Sequence, residues 1–196
     1  MRVVGISDYR TVVPLWISDM SGHSKWSQIK HKKAASDARK SAAFGKLSRA
    51  ISVAARDNPD PATNVRLKNE IDRARAANMP IDGIERAIRR VADKRAATLT
   101  EIQLEFIGPG GVAIVASGIT DSTNRTINEV RQIATHAGVR MVERGGASWA
   151  FRRTPDGMEP IAPVTLEPTD RQHLESFLES LDEHEDIQDI WTNADL

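Results

Sequence analysis

The chain has 196 residues, with 27 Lys or Arg, 27 Asp or Glu and no Cys. This length can bury a core in one or two domains, and the absence of Cys excludes disulfides and thiolate metal sites. The charges are segregated, because residues 21–97 hold 18 basic against 8 acidic side chains and residues 98–196 hold 7 against 17. A concentrated basic region attracts polyanions, so the first half predicts a nucleic-acid partner.

Residues 1–19 match neither a secretory signal nor a membrane span. Their longest apolar run, Val12 to Ile17, is interrupted by Pro14 and is too short to cross a bilayer. We interpret residues 1–19 as an extension outside the functional core, with Met20 as the functional start. We expect a cytoplasmic protein with no membrane partner.

The next stretch, residues 21–50, carries eight Lys or Arg side chains against the single acid Asp37. Such a run is typical either of a solvated arm or of a surface that follows a phosphate backbone, and an aromatic residue within it can stack on a base. We favour the second interpretation because so few acids compensate the charge. The candidate nucleic-acid-binding residues are Lys25, Trp26, Lys30, His31, Lys32, Lys33, Arg39, Lys40, Lys46 and Arg49.

Three amphipathic helices are predicted between Ser36 and residue 91. The first ends at the proline-rich DNPDP segment, the second runs from about Pro61 to Asn78, and the third begins at Pro80. Apolar residues at spacings of three and four predict one buried stripe in each helix. These stripes are Phe44, Leu47, Ile51 and Ala54 in the first helix, Leu67, Ile71 and Ala74 in the second, and Ile81, Ile84, Ile88 and Val91 in the third.

Beyond Thr98 the hydrophobic period changes to two, which predicts strands. The sequence EIQLEF is one strand, GPGG a turn and VAIVASG its partner; a helix over about 122–137 follows, with Gly138 as its cap. The segments ASWAFRR and EPIAPVTL predict two more strands around a turn at 155–157, then a helix containing Leu174 and a last strand, DIQDIW. From residue 112 the order is strand, helix, strand, strand, helix, strand. That order predicts an α+β, ferredoxin-like antiparallel sheet with a hairpin strand in front.

Other candidate sites are weak. GPGG is not a P-loop, because Val112 and Ala113 follow its glycines instead of Lys and Ser or Thr. Arg125 at a helix start suits an anion, although Thr126 and Glu129 fit a capping box equally well. The five His residues lack metal-ligand spacing, and the dense acids after Glu159 suit solubility, repulsion of nucleic acid or contact with a basic partner. We expect no enzyme activity, no metal and no cofactor.

Four segments in order carry a family resemblance: MSGHSKWSQIKHKKAASDARKSAAFGKL, ARAANMPIDGIERAI, GPGGVAIVASGITDSTNRTINEVRQI and EDIQDIWTN. They resemble the YebC family, described as probable transcriptional regulators and related to the mitochondrial translational activator of cytochrome oxidase subunit one. The resemblance implies a helical domain and two α+β domains, the third inserted within the second. Here TPDGMEP leads almost directly to the closing elements, so the inserted domain is expected to be missing. We expect an extension at 1–19, a basic helical domain at 20–97 and an acidic ferredoxin-like domain at 98–196.

The sequence leaves the target open. The protein is either a DNA-binding transcriptional regulator or an RNA-binding factor that acts on rRNA or tRNA at the ribosome, since Lys and Arg report phosphate and not sugar. A third, weaker hypothesis is an adaptor whose acidic half binds a basic protein. No obligate oligomer is expected.

Overall fold

The computed structural model of the chain describes residues 37–90, 98–154 and 157–196. Within these ranges there are five α-helices and six strands. The helices are α1 (Asp37–Ala54), α2 (Val65–Ala76), α3 (Ile81–Arg89), α4 (Thr123–His136) and α5 (Pro168–Glu183). The strands are β1 (Thr100–Ile107), β2 (Ala113–Thr120), β3 (Arg140–Val142), β4 (Phe151–Thr154), β5 (Gly157–Pro160) and β6 (Ile187–Thr192). We call residues 37–90 the helical part and residues 98–196 the sheet part.

The helical part is built as the hydrophobic stripes predict, with one exception. Ile51, Leu67 and Ile84 are buried in a shared cluster, and Phe44 and Leu47 pack against it. Ile81, however, is 68 % exposed, so its place in the predicted buried stripe is wrong. Ile81 is the first residue of α3, where Ile84 and Ala87 already face the core. Val91 of the same stripe lies outside the described residues.

The second helix begins later than the sequence pattern indicates. Asn64 is its N-cap, and the Asn64 side-chain oxygen accepts a hydrogen bond from the Leu67 N–H at 3.0 Å. The preceding residues form a turn in which Asp60 accepts the N–H of Ala62. Asn and Asp compete with the helical backbone for hydrogen bonds, which is why they favour caps and turns. The helix ends with Asn78 in the left-handed conformation, at φ 59°.

The sheet part confirms the predicted α+β fold, an antiparallel sheet with two helices. Its strands differ from those that the sequence predicts, because β3 is not predicted and the segments ASWAFRR and EPIAPVTL form a hairpin outside the four-stranded sheet. Four antiparallel strands lie in the order β3-β1-β2-β6. In a ferredoxin-like sheet the third strand of the repeat lies between the first two, which here correspond to β2 and β3. The structure places β1 in that position. The expected hairpin in front of the repeat therefore supplies a central strand of the sheet.

The other two strands form a separate hairpin. Phe151 of β4 pairs with Pro160 of β5, and Thr154 pairs with Gly157. With two residues between the strands in sequence, there is no room at this point for an inserted domain. The predicted turn residues 155 and 156 lie outside the described residues.

The four-stranded sheet is covered on both faces, because alternate residues of β2 enter different cores. Ile114 and Ala116 pack with Val130 of α4 and Leu174 of α5 in the main core. Within that core the rings of Phe106 and Phe177 meet edge to face, with centroids 5.4 Å apart. On the other face, side chains of β2, of the hairpin and of its preceding turn form a smaller core. Its buried members are Ala113, Val115, Ala147, Ala150 and Phe151.

The helical part docks on the sheet part through α1. Ala50 and Val53 of α1 are buried against Ile119 of β2, with Leu99 at the edge. This apolar contact is small, so polar groups around it carry part of the interaction. Those groups include residues that the sequence predicts to bind nucleic acid.

Candidate nucleic-acid interface

A cleft lies between α1 and α3 of the helical part. Its volume is about 720 Å³. The described residues that line it are Ser41, Phe44, Gly45, Ser48, Arg49, Met79, Gly83, Arg86, Arg89 and Arg90. Four of these ten are Arg and none is Asp or Glu, so the charged side chains that line the cleft are all positive. We call this site the arginine cleft.

The spacing of α3 produces the cationic side of the arginine cleft. Arg86, Arg89 and Arg90 fall three and four residues apart, which places them on one side of a helix, opposite the buried Ile84 and Ala87. All three Arg residues are exposed. Arg89 pairs with Glu85 at 3.1 Å, but both side chains are more than half exposed. Such a surface pair contributes little, so Arg89 can exchange it for a phosphate.

The other side of the arginine cleft is low and partly apolar. Gly45 of α1 adds no side chain, and a Cβ built at this position would have no atom within 4 Å. Phe44 and Met79 belong to the hydrophobic cluster beneath. A ligand therefore finds an apolar floor beneath a cationic rim, which suits a sugar–phosphate backbone better than a small inorganic ion.

The sequence-predicted residues divide into three groups. Lys25, Trp26, Lys30, His31, Lys32 and Lys33 lie outside the described residues. Arg39 and Lys40 are exposed on the first turns of α1. Lys40 is one turn before Phe44, so it shares the side of α1 that leads into the arginine cleft.

Lys46 and Arg49 are turned toward the sheet part. Lys46 Nζ donates to the Asp182 carbonyl and lies 3.6 Å from the Asp182 carboxylate. Arg49 lines the arginine cleft, donates to the Glu185 carbonyl, and lies 3.6 Å from the Glu185 carboxylate and 3.8 Å from that of Asp186. The prediction that these two residues bind nucleic acid stays a prediction. In this structure their charge meets acids of the same chain.

Asp186 is the buried acid of this contact, with its side chain 2 % exposed. Its Oδ2 accepts hydrogen bonds from Thr126 Oγ1 and from Arg125, both at 2.7 Å. Burial alone would raise the pKa of Asp186, but the hydrogen bonds from Thr126 and Arg125 outweigh it and lower the pKa below its ordinary value. The anion predicted beside Arg125 is therefore the chain's own carboxylate. The predicted capping box is wrong, because the N-cap of α4 is Ser122 and Thr126 lies inside the helix.

A second ion pair joins α2 to β6. Arg73 lies 2.9 Å from Asp189 and 3.3 Å from Glu70. Burial raises the pKa of Glu70, and the positive charge of Arg73 offsets part of that effect. The EDIQDIWTN motif thus supplies Asp186 and Asp189 to the contact between the two parts. Its Asn193 accepts the Ala113 N–H at 2.8 Å, which ties the end of β6 to β2.

Sequence reasoning missed three features of the site. Arg86 and Arg90 were not recognised as binding residues, although the Arg spacing of ERAIRR is visible in the sequence. The acidic run suggests solubility, repulsion of nucleic acid or a basic partner, and in the structure its acids contact basic side chains of the helical part of the same chain. The third feature is Glu105 of the predicted strand EIQLEF, which the sequence does not mark as buried and which is 1 % exposed.

These features define the class of protein. It is an α+β chain whose small helical part carries a cationic cleft and forms ion pairs with acids of the sheet part. Family models agree with this description. The model described as "TACO1/YebC protein N-terminal domain" matches residues 24–94, and that described as "TACO1/YebC second and third domain" matches residues 99–155. The chain belongs to the TACO1/YebC family.

Individual relatives agree with this assignment. A protein of Petrotoga mobilis named "Probable transcriptional regulatory protein" is 43 % identical over 178 residues, which cover 88 % of this chain and 70 % of the relative. A protein of Brachyspira hyodysenteriae with the same description is 40 % identical over 171 residues, covering 86 % and 69 %. The crystal structure of a conserved hypothetical protein from Aquifex aeolicus is similar with a TM-score of 0.78 at 28 % identity, covering 88 % of this chain and 97 % of that one.

Proposed function

We propose that this chain is a nucleic-acid-binding regulator of gene expression that contacts duplex DNA through the arginine cleft and the exposed Arg39 and Lys40. The observation that carries the proposal is the set of four Arg side chains around the cleft with no acid among the described lining residues. Phosphate contacts by Lys and Arg supply most of the non-specific affinity for DNA. The names of the relatives, which refer to transcription, support DNA over the ribosomal alternative.

The proposal includes a division of labour along the chain. We infer an extension at residues 1–19, a nucleic-acid-binding helical domain at 20–97 and a sheet domain at 98–196. The separate matches of two family models, over 24–94 and 99–155, support this division. The basic arm before α1, which contains Lys25 and Lys30–Lys33, would extend the phosphate contacts of the arginine cleft.

The experiment compares two triple variants of equal charge. Arg86→Ala, Arg89→Ala and Arg90→Ala together remove the cationic side of the arginine cleft. Arg75→Ala, Arg131→Ala and Arg171→Ala remove three exposed Arg residues that do not line it. Fluorescence anisotropy with a labelled DNA duplex at low salt measures the affinity of each protein. We expect the triple variant of the cleft to lose at least tenfold in affinity and the control triple variant to lose less than threefold. The two binding free energies should then differ by about 1 kcal/mol or more.

Two results would count against the proposal. Equal losses in both triples would mean that overall charge, and not the cleft, determines affinity. Sedimentation of the wild-type protein with ribosomal particles in a sucrose gradient, resistant to DNase and lost at high salt, would favour the ribosomal alternative. Absence from those fractions, together with the cleft-specific loss of duplex binding, supports the regulator.

A further inference from the structure

A second basic segment lies within the acidic sheet part. Residues 140–153, RMVERGGASWAFRR, hold four Arg side chains against the single acid Glu143. The sheet part has only three other Arg residues and 17 acids. Its overall charge therefore predicts repulsion of nucleic acid, whereas this segment is locally cationic. The proposed contacts of the arginine cleft do not account for it.

An aromatic side chain stands out from this segment. Trp149 is 67 % exposed, although its neighbours Ala147 and Ala150 are buried in the smaller core. Trp149 Nε1 donates a hydrogen bond to the Gly146 carbonyl at 3.0 Å. That bond fixes the orientation of the indole ring while leaving the larger part of the ring in solvent. An indole that is oriented and exposed in this way can still bury most of its apolar area against a ligand.

The turn that carries Trp149 is held from below by one buried carboxylate. Glu105 of β1 accepts the N–H groups of Gly145 at 3.0 Å, Ala147 at 2.8 Å and Ser148 at 2.9 Å. Gln103 donates to the same carboxylate at 2.8 Å. Burial alone would raise the pKa of Glu105, but the three backbone donors and Gln103 outweigh it and lower the pKa to about 2. The carboxylate therefore stays charged, and its hydrogen bonds order the turn before any ligand arrives.

The same hydrogen-bond chain positions an Arg beside the turn. The side-chain oxygen of Gln103 accepts a hydrogen bond from Arg153 at 3.2 Å. Gln103 therefore links Arg153 to Glu105. The N–H of Ser148, the residue before Trp149, bonds to the same carboxylate. Arg152, the next residue, is 74 % exposed and pairs with Glu159 across the hairpin at 2.7 Å. A surface pair of this kind exchanges readily for a phosphate.

The exposed apolar surface around Trp149 is too small for a protein partner. Ile161 is 67 % exposed. Its N–H donates a hydrogen bond to the carbonyl of Ala150, the residue after Trp149, at 2.9 Å. In the described residues of the sheet part, Trp149 and Ile161 are the exposed large apolar side chains. The buried centre of a protein interface is usually more apolar than that. One indole with flanking Arg side chains matches the dimensions of a single base and its phosphates.

We propose that Trp149, with Arg144, Arg152 and Arg153 of the same segment, forms a platform on which an unpaired base of a single-stranded nucleic acid stacks. This inference rests on the proposed function and extends it, since it assigns to the sheet part a contact with a strand that is not in a duplex. A base in a DNA duplex is already stacked on its neighbours and cannot lie flat on the indole. The arginine cleft would hold a duplex, and the Trp149 platform would hold a single strand.

The test separates the platform from the cleft by using two ligands. Anisotropy is measured with a labelled single-stranded oligothymidine and with a labelled duplex, for the wild type, Trp149→Ala, Trp149→Phe and the cleft triple. We expect Trp149→Ala to lose about tenfold in affinity for the single strand. Trp149→Phe, which keeps an aromatic face, should stay within about threefold of the wild type. Neither Trp149 variant should change duplex affinity.

A matched pair of double variants tests the charges of the platform. Arg144→Ala with Arg153→Ala should weaken single-strand binding more than Arg131→Ala with Arg171→Ala, which removes two exposed Arg residues elsewhere on the sheet part. Oligouridine and oligodeoxyuridine of the same length, which differ only in the 2′-hydroxyl, identify the strand: tighter binding of oligouridine points to RNA and tighter binding of oligodeoxyuridine to DNA. Binding to either supports the platform.

The results that overturn the platform differ from those that overturn the proposed function. Single-strand affinity of Trp149→Ala equal to the wild type would rule the platform out, as would equal losses for the duplex and the single strand. Loss of duplex affinity in the cleft triple would leave the proposed function standing in either case. A wild-type protein that binds neither ligand would contradict both.

Discussion

Arg49 and Asp186 approach to 3.8 Å across the contact between the helical part and the sheet part. Arg49 also lines the arginine cleft, and Asp186 is the buried acid that Arg125 and Thr126 hold in place. One guanidinium therefore links the proposed binding surface to the acid that organises the sheet part. The contact depends on Asp186 more than on its exposed neighbour Glu185, and this difference can be tested.

Replacing Asp186 by Asn should destabilise the fold. The change leaves the Arg125 guanidinium and the Thr126 hydroxyl facing an amide in place of a carboxylate, and breaking a buried charged network of this kind costs about 3 kcal/mol. Urea denaturation followed by far-UV circular dichroism measures the loss. Glu185→Gln is the matched control, because the Glu185 side chain is 69 % exposed and its ion pair contributes less than about 1 kcal/mol. Equal losses in the two variants would contradict this account of Asp186.

The buried carboxylate of Glu105 predicts an acid-dependent loss of stability. Its pKa is about 2 in the folded chain against an ordinary value of 4.5. Because the folded pKa is lowered, the stabilisation is complete above the unfolded pKa and is lost as the pH falls through the folded one. The window is therefore from about pH 4.5 down to about pH 2, and the amount is about 3 kcal/mol. The measurement is the difference in unfolding free energy between the wild type and Glu105→Gln as a function of pH.

That difference should be constant at neutral pH and shrink in the acid window. A constant part will remain in acid, because Gln places an amide donor against backbone N–H groups at every pH. Glu101→Gln on the exposed end of the same strand is the control, and we expect its difference from the wild type to change much less. A pH-independent difference for Glu105→Gln would show that the carboxylate charge does not hold the turn.

Two glycine substitutions should differ in their effect on stability. Gly45→Ala, within α1, should stabilise the chain by about 0.5–1 kcal/mol, because Ala favours the helix and the added Cβ has no atom within 4 Å. Gly83→Ala, within α3, gains the same helix propensity but brings a Cβ to 3.0 Å from Met79 Cε, so Met79 must move. Thermal unfolding should rank Gly45→Ala above Gly83→Ala. The reverse order would contradict the open space above Gly45.

The predicted binding residues of α1 should separate into two pairs. Arg39→Ala with Lys40→Ala should weaken duplex binding and leave stability unchanged, because both side chains are exposed on the way into the arginine cleft. Lys46→Ala with Arg49→Ala should lower the free energy of unfolding by about 1–3 kcal/mol, because both side chains hold the sheet part. Anisotropy and urea denaturation on the same preparations check the separation. A stable Lys46 and Arg49 double variant would show that this contact does not support the fold.

Local patterns in the sequence predict most of the elements because the causes are local. The spacing of Phe44, Leu47 and Ile51 places α1, and Gly138 takes the left-handed conformation expected of a helix cap, at φ 66°. The position of β1 inside the sheet cannot be inferred in the same way. The β1–β2 hairpin is visible in the sequence as two strands around a turn, but which further strands lie beside them depends on contacts that are distant in sequence.

The candidate site was predicted only in part for the same reason. The basic character of α1 is visible in the sequence, and Arg39 and Lys40 are exposed as a binding role requires. The fate of Lys46 and Arg49 depends on Asp182 and Glu185, which are 136 residues away in the chain. A basic charge pattern indicates that a side chain pairs with an anion. It does not show whether that anion belongs to a partner or to the same molecule.

The salt dependence of duplex DNA binding tests the central claim most directly. If about six side chains of the basic surface neutralise phosphates, the logarithm of the association constant falls against the logarithm of the salt concentration with a slope of about −5. Removing Arg86, Arg89 and Arg90 should make that slope shallower by about two to three, because three phosphate contacts are lost. A wild-type slope near zero, or a slope that the three substitutions leave unchanged, would contradict the assignment of the arginine cleft to nucleic acid.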